Sequence, residues 1–166
     1  MDIPREKGFI ESEKGFIERA QQLAIESVEN GTGPFGCCIT DRDYNLVAEG
    51  HNRVSEDIDP TAHAEIVAIR AACKVLVTFD LSGCRLFSSC EPCPMCLSAI
   101  YWSRINHVRY GSTKTDAAGI GFDDAFIYEE IGKEVEDRSV KMKRVRSYNE
   151  SEAFSLWSEK SDKIPY

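Results

Sequence analysis

No segment of this 166-residue chain has the unbroken apolar length that a bilayer crossing needs, which excludes a membrane-spanning helix. The opening residues, Met1 to Glu6, lack the apolar core of a signal peptide, so a cytoplasmic location is expected. Pro- and Ser-rich tracts are missing, as is any linker-like shift in composition, and a single domain over residues 1–166 is the expectation. Positive charge is in short supply: 28 acidic side chains against 20 Lys and Arg leave a formal net charge of -8. Such a surface repels phosphate backbones, so no nucleic-acid partner and no membrane partner are expected.

What is present is ordinary for a soluble globular protein, with 42% hydrophobic and 29% charged residues and enough length to bury a sizeable core. Seven cysteines without an export signal favour reduced thiols and metal ligation over a disulfide framework. Cys37, Cys38, Cys73, Cys84 and Cys90 are expected to behave as small buried hydrophobes. A short duplication marks the start, where Lys7-Gly8-Phe9-Ile10-Glu11 recurs as Lys14-Gly15-Phe16-Ile17-Glu18. The first copy reads as part of an N-terminal extension, residues 1–14, and the second as the entry to a helix.

Hydrophobic periodicity orders the rest. Phe16, Ala20, Leu23, Ala24 and Val28 form a helical stripe that Asn30-Gly31 can end. Phe35 to Thr40 and Leu46 to Gly50 read as a hairpin across the turn-rich residues 41–45. A second helix is expected after Pro60-Thr61, burying Ile66, Val67, Ile69 and Ala72. Cys84 to Ser88 reads as a central strand, Pro94 to Trp102 as a helix opened by proline, and His107 to Gly111 as another strand. Val140 to Arg146 would add a fifth strand, and Ala153, Phe154, Leu156 and Trp157 give a last helix an apolar face. The pattern predicts an α/β fold, a sheet with helices on both sides.

Against this background His63-Ala64-Glu65 and Pro92-Cys93-Pro94-Met95-Cys96 stand out. One imidazole and two thiolates can hold a zinc ion and leave its fourth position open, and a nearby carboxylate can move protons. Cys93 and Cys96, three apart at a helix start, can point their sulfurs the same way. His63 and Glu65, two apart, would diverge along a helix flank, so both reach one ion only from the helix end. Two helix N-termini then face the metal, where free N–H groups and the positive dipole end stabilise thiolates. The chemistry this supports is attack of a zinc-activated water on an amidine-like ring carbon, with Glu65 as proton shuttle and ammonia as leaving group. Either half alone has duller explanations, a redox pair or structural zinc knuckle for the cysteines and chance for His-x-Glu.

At these residues the chain resembles the cytidine deaminase superfamily. Pro34-Phe35-Gly36, Asp59-Pro60-Thr61-Ala62, Ser89-Cys90-Glu91, Ala99-Ile100-Tyr101-Trp102 and Gly121-Phe122-Asp123-Asp124 are similar to the small zinc-dependent guanine deaminases of bacteria, over about residue 15 to Tyr166. The resemblance implies a three-layer α/β/α cytidine deaminase-like fold with a five-stranded mixed sheet, one Zn2+ per subunit, and a homodimer with exchanged C-terminal segments. It further implies that Asn52 hydrogen-bonds the purine, that Phe35 packs on its ring, and that Asp124 holds the base and moves protons. Ala64 and Trp102 become further candidates for the purine site, and Tyr166 would close the pocket of the partner subunit. His51 and His107 are expected to be structural.

Taken singly, Asn52 could cap a turn, Phe35 and Trp102 could be core, and Asp123-Asp124 could cap a helix. Cys37-Cys38 and the Pro165 next to Tyr166 depart from the family pattern, which leaves guanosine, another aminopurine or an aminotriazine open as substrates. A tRNA adenosine deaminase would use the same metal site but needs a surface for RNA. A non-catalytic zinc-stabilised interaction module would use four protein ligands and no Glu65.

Overall fold

The computed structural model describes residues 13–165. The first copy of the duplication, most of the N-terminal extension and Tyr166 lie outside the described residues. In chain order the elements are α1 (Glu13–Glu29), β1 (Gly36–Thr40), β2 (Leu46–His51), a one-turn α2 (Val54–Asp57), α3 (Ala64–Leu76), β3 (Arg85–Cys90) and α4 (Pro94–Trp102). These are followed by β4 (His107–Ser112), α5 (Lys114–Ala118), α6 (Ala125–Gly132), a 3-10 turn at Val135–Asp137 and α7 (Glu152–Glu159). The chain forms two compact units, Met1–Asp124 and Ala125–Tyr166.

The sheet belongs to the first unit and runs β2-β1-β3-β4, antiparallel except for the parallel β3/β4 pair. It is mixed as expected, but among the described residues it has four strands rather than five. Val140 to Arg146 is irregular chain with its apolar residues exposed. Alternating side chains there imitate a strand, yet a strand exists only where a neighbour supplies the ladder.

Alternation along the central strands divides the core into two layers. Cys37, Ile39 and Leu86 face α3 and α4, among Ala64, Ala68, Ile69, Ala72 and Ile100. Their sequence neighbours Cys38 and Phe87 face α1, among Phe16, Ala20 and Leu23. This is the three-layer α/β/α arrangement, and it explains the paired cysteines: β1 is buried on both faces, with one thiol in each layer. Burial pushes the Cys38 thiol up to about 12, so neither layer holds a thiolate there.

On α1 the buried stripe continues through Ser27, and Val28 is exposed, contrary to the apolar reading of the sequence. Position 27 follows residues 20, 23 and 24 on the helical period, whereas residue 28 has rotated off that face. Val67 is half-buried rather than core, for the same reason of phase on α3.

Glycine sets how closely the layers approach. A Cβ on Gly36 would come within 2.6 Å of Leu23 Cβ and 2.7 Å of Ala24 N, and closer still to the Ala20 carbonyl oxygen. On the opposite face, a Cβ on Gly50 would meet the Ala64 oxygen at 2.5 Å and Ala68 N at 2.7 Å. Both helices therefore lie directly on glycine. Gly36→Ala must push α1 away and is expected to destabilise by about 1–3 kcal/mol. Urea unfolding reads this as a lower midpoint at unchanged slope; an unchanged midpoint would contradict the packing.

Candidate metal centre and its surroundings

Strand register gathers the site at one end of the sheet. Gly36 pairs with His51, Cys37 with Ser88, and Cys90 with Ser112, so the start of β1 and the ends of β2, β3 and β4 lie side by side. Phe35, Asn52 and the Glu91–Cys93 turn continue from that edge. A loop-end cleft of this kind is where α/β folds place their chemistry.

Two turns deliver the ligands. Asp59 Oδ1 accepts from the Thr61 amide at 2.8 Å and the Thr61 hydroxyl at 2.7 Å, and the Ala62 amide donates to the Asp59 carbonyl. Asp59-Pro60-Thr61 is thus a tight side-chain-fastened turn, and its output is His63 at the N-cap of α3. Cys93 is likewise the N-cap of α4, in extended backbone before Pro94 in the first turn. Neither N-cap side chain makes a capping hydrogen bond, so both are free to turn to each other. Cys96 sits at the third helical position of α4, where N-cap and N3 side chains naturally meet.

The ligand atoms of His63, Cys93 and Cys96 all lie within 4.8 Å of one another, the one such group of three potential ligands found among the described residues. His63 Nδ1 is 3.5 Å from Cys93 Sγ and 3.6 Å from Cys96 Sγ. A tetrahedral zinc with bonds of about 2.3 Å to sulfur and about 2.0–2.1 Å to nitrogen requires N···S edges of about 3.5–3.6 Å. The residues fit the ion. Three protein ligands rather than four leave one position for water or substrate.

Protons show the same organisation. A hydrogen bond from the Cys96 thiol, helped by His63, holds Cys93 down at about 4, and the same bond pushes Cys96 well up. His63 is raised, chiefly by its hydrogen bond to Cys93. Two thiols and an imidazole so close bind positive charge, as protons or as a metal.

Glu65, in the first turn of α3, is buried, and burial raises its carboxyl above the usual range. Oε1 accepts from the buried Ser88 hydroxyl at 3.3 Å, and Oε2 lies 3.3 Å from Cys96 Sγ. The carboxyl thus borders the ligand cluster from the β3 side.

Asn52 is buried directly after β2, and its Oδ1 accepts from the Val54 amide at 3.1 Å. Phe35 is half-buried, with the Phe122 ring edge-on at 5.0 Å between centroids. Phe122 has no assigned role in the sequence pattern; an aromatic beside two acids gave no signal that it would brace Phe35. Asp124 is half-buried, and its carboxyl is raised by burial first and then by the Cys93 charge. Ala64, wholly buried, opens α3 between His63 and Glu65. Trp102 ends α4, about 13.5 Å along the axis from Cys93, and is 68% exposed.

The comparisons with known proteins agree with this geometry. The chain is 49% identical over 152 residues to the guanine deaminase of Bacillus subtilis (strain 168), covering 91% of this chain and 97% of that protein. The crystal structure of guanine deaminase from Bacillus subtilis superposes with a TM-score of 0.90 at 47% identity, over 93% of this chain and 99% of the other. Guanine deaminase from Nitrosomonas europaea follows with a TM-score of 0.68 at 31% identity, over 73% and 70%. The tRNA-specific adenosine deaminase of Aquifex aeolicus is 38% identical over 105 residues, 63% of this chain and 69% of that one. Residues 10–112, which contain all three ligands and Glu65, match the model of the cytidine and deoxycytidylate deaminase zinc-binding region. With ligand set, helix-end geometry and sheet order in agreement, the chain belongs to the cytidine and deoxycytidylate deaminase family of zinc-binding enzymes.

Proposed function

We propose that the protein hydrolyses guanine to xanthine and ammonia. The observation that carries this reading is a buried carboxyl, Glu65, beside a three-ligand metal cluster, in a chain that matches a guanine deaminase over nearly its whole length. His63, Cys93 and Cys96 hold the zinc ion. Once bound, zinc supplies the Lewis acidity that makes water nucleophilic near neutral pH. Glu65 takes the proton that water loses as it adds to the amino-bearing ring carbon, and passes it to the adjacent ring nitrogen. It then takes the second proton, from the hydroxyl now on that carbon, and delivers it to the departing amine, so that the C–N bond breaks, ammonia leaves and a carbonyl remains.

Recognition falls to the residues at the sheet edge. With Asn52 Oδ1 taken by the Val54 amide, Nδ2 is the group that donates to an acceptor on the purine. Phe35, braced by Phe122, offers a ring face. Ala64 lets the base approach the first turn of α3, and Asp124 accepts from its N–H groups. Trp102, exposed at the end of α4, is a further candidate for the purine site.

A homodimer with exchanged C-terminal segments completes the reading. Helices α6 and α7 bury none of their residues, and Phe126, Ile131, Phe154, Leu156 and Trp157 are exposed. That much apolar surface on one short segment calls for a covering partner. Tyr166 then closes the partner's pocket, in a cytoplasmic enzyme.

The zinc-loaded protein, offered guanine, guanosine, adenine, cytosine and cytidine, is expected to release ammonia from guanine fastest. Absence of turnover on guanine sinks the assignment, and turnover of adenosine within an added tRNA would replace it. Sedimentation of the same sample should give a dimer, and deleting Lys163 to Tyr166 should lower the rate without loss of zinc. A monomer, or an undiminished rate, removes the exchange or Tyr166 respectively.

A further inference from the structure

Ser27 is wholly buried on α1, a helix otherwise seated on the sheet by apolar residues. A buried hydroxyl gains nothing from burial unless its hydrogen bonds are made. Here they converge on the edge of the purine site. Ser27 Oγ lies 2.6 Å from the Gly33 carbonyl oxygen, 3.3 Å from the Asn52 carbonyl oxygen and within hydrogen-bond distance of Thr32 Oγ1. Having one proton, it donates to the nearer carbonyl, Gly33, and keeps the Asn52 carbonyl at the longer distance. Thr32 returns to the helix, its hydroxyl and amide both 2.9 Å from the Ser27 carbonyl oxygen.

The network continues to the groups that touch substrate. The Phe35 amide donates to the Gly33 oxygen at 2.8 Å, and the Asn52 amide donates to the Phe35 oxygen at 3.0 Å. The Asn52 side chain rests on Gly33, where an added Cβ would stand 3.2 Å from Asn52 Cγ. One hydroxyl therefore ties the end of α1 to the Gly33 carbonyl, and the Gly33–Phe35 and Phe35–Asn52 backbone bonds carry that link to both segments that present Phe35 and Asn52.

We infer that Ser27 is a positioning residue for substrate recognition, holding the Gly33–Phe35 loop and Asn52 in register so that the purine meets a preformed cleft. The inference rests on the reading of Asn52 as a purine contact. Ser27 touches neither the ligand cluster nor Glu65, so its effect belongs to binding rather than to proton transfer.

The test is a double-mutant cycle on the full zinc-loaded chain, with steady-state kinetics on guanine for the parent, Ser27→Ala, Asn52→Ala and the double variant. Ser27→Ala is expected to raise KM roughly three- to tenfold, the worth of about one hydrogen bond, with kcat nearly unchanged. In the Asn52→Ala background the same change should add less, because only the Phe35 segment is left to position. If Ser27→Ala is insoluble, Ser27→Cys, of similar size and a weaker donor, goes through the same cycle with the same expected pattern. An unchanged KM in Ser27→Ala beside a raised KM in Asn52→Ala overturns the inference and leaves the Asn52 reading standing. Equal factors in both backgrounds, or parallel loss of kcat, reduce Ser27 to packing and also overturn it. An unchanged KM in Asn52→Ala overturns both.

Discussion

Cys96→Ala is expected to empty the metal site while leaving the fold in place. Cys96 is buried, its sulfur completing the set with His63 and Cys93, and alanine leaves two ligands where zinc needs at least three from the protein. Loss of partners one shell further out already costs zinc sites about 10–100-fold in affinity or activity, so turnover should fall by more than about 100-fold. Zinc per chain, measured on the purified protein, should drop in parallel. Stability supplies a second readout: a ligand at 1,000 times its dissociation constant stabilises the native state by about 4 kcal/mol. Added zinc should therefore raise the melting temperature of the parent and leave that of Cys96→Ala unmoved. A variant that keeps both zinc and turnover would show that Cys96 is not a ligand.

The ligand set was legible in the sequence because zinc tolerates few residue types and the helix-end argument needs only the spacing of His63 to Glu65 and of Cys93 to Cys96. The hairpin, α3, β3, α4 and β4 were legible for a related reason, as each carries its own period and its own start or stop signal. Val140 to Arg146 shows where such reading stops: alternation names a face, not a ladder partner, and no strand forms there. Ser27 and Gly36 fail in another way. Ser27 falls outside the apolar stripe and Gly36 reads simply as part of the first strand, yet one is a buried hub and the other a contact point for α1. Their roles exist only in the register between α1 and the sheet edge, which no local window contains. Phe122 against Phe35 belongs to the same class of long-range pairing.

Glu65→Gln should retain zinc and lose about 10²–10⁴ in kcat, the usual worth of a positioned general acid–base. The substitution is nearly isosteric at a buried position, and its partners allow it. A glutamine carbonyl can keep the bond that Oε1 accepts from Ser88, and its amide can donate toward the Cys96 sulfur where Oε2 now stands. The three metal ligands are untouched, so zinc content and melting temperature should match the parent. What the amide cannot do is accept a proton from water and release it to nitrogen. The loss should therefore appear in kcat, with KM for guanine little changed, because recognition is assigned to Asn52, Phe35 and Asp124. This outcome differs in kind from that of Cys96→Ala, where zinc and turnover vanish together. Full turnover in Glu65→Gln would remove the carboxyl from proton transfer and require another base, and Asp124, half-buried with its carboxyl raised by burial and by the Cys93 charge, would be the next residue to replace.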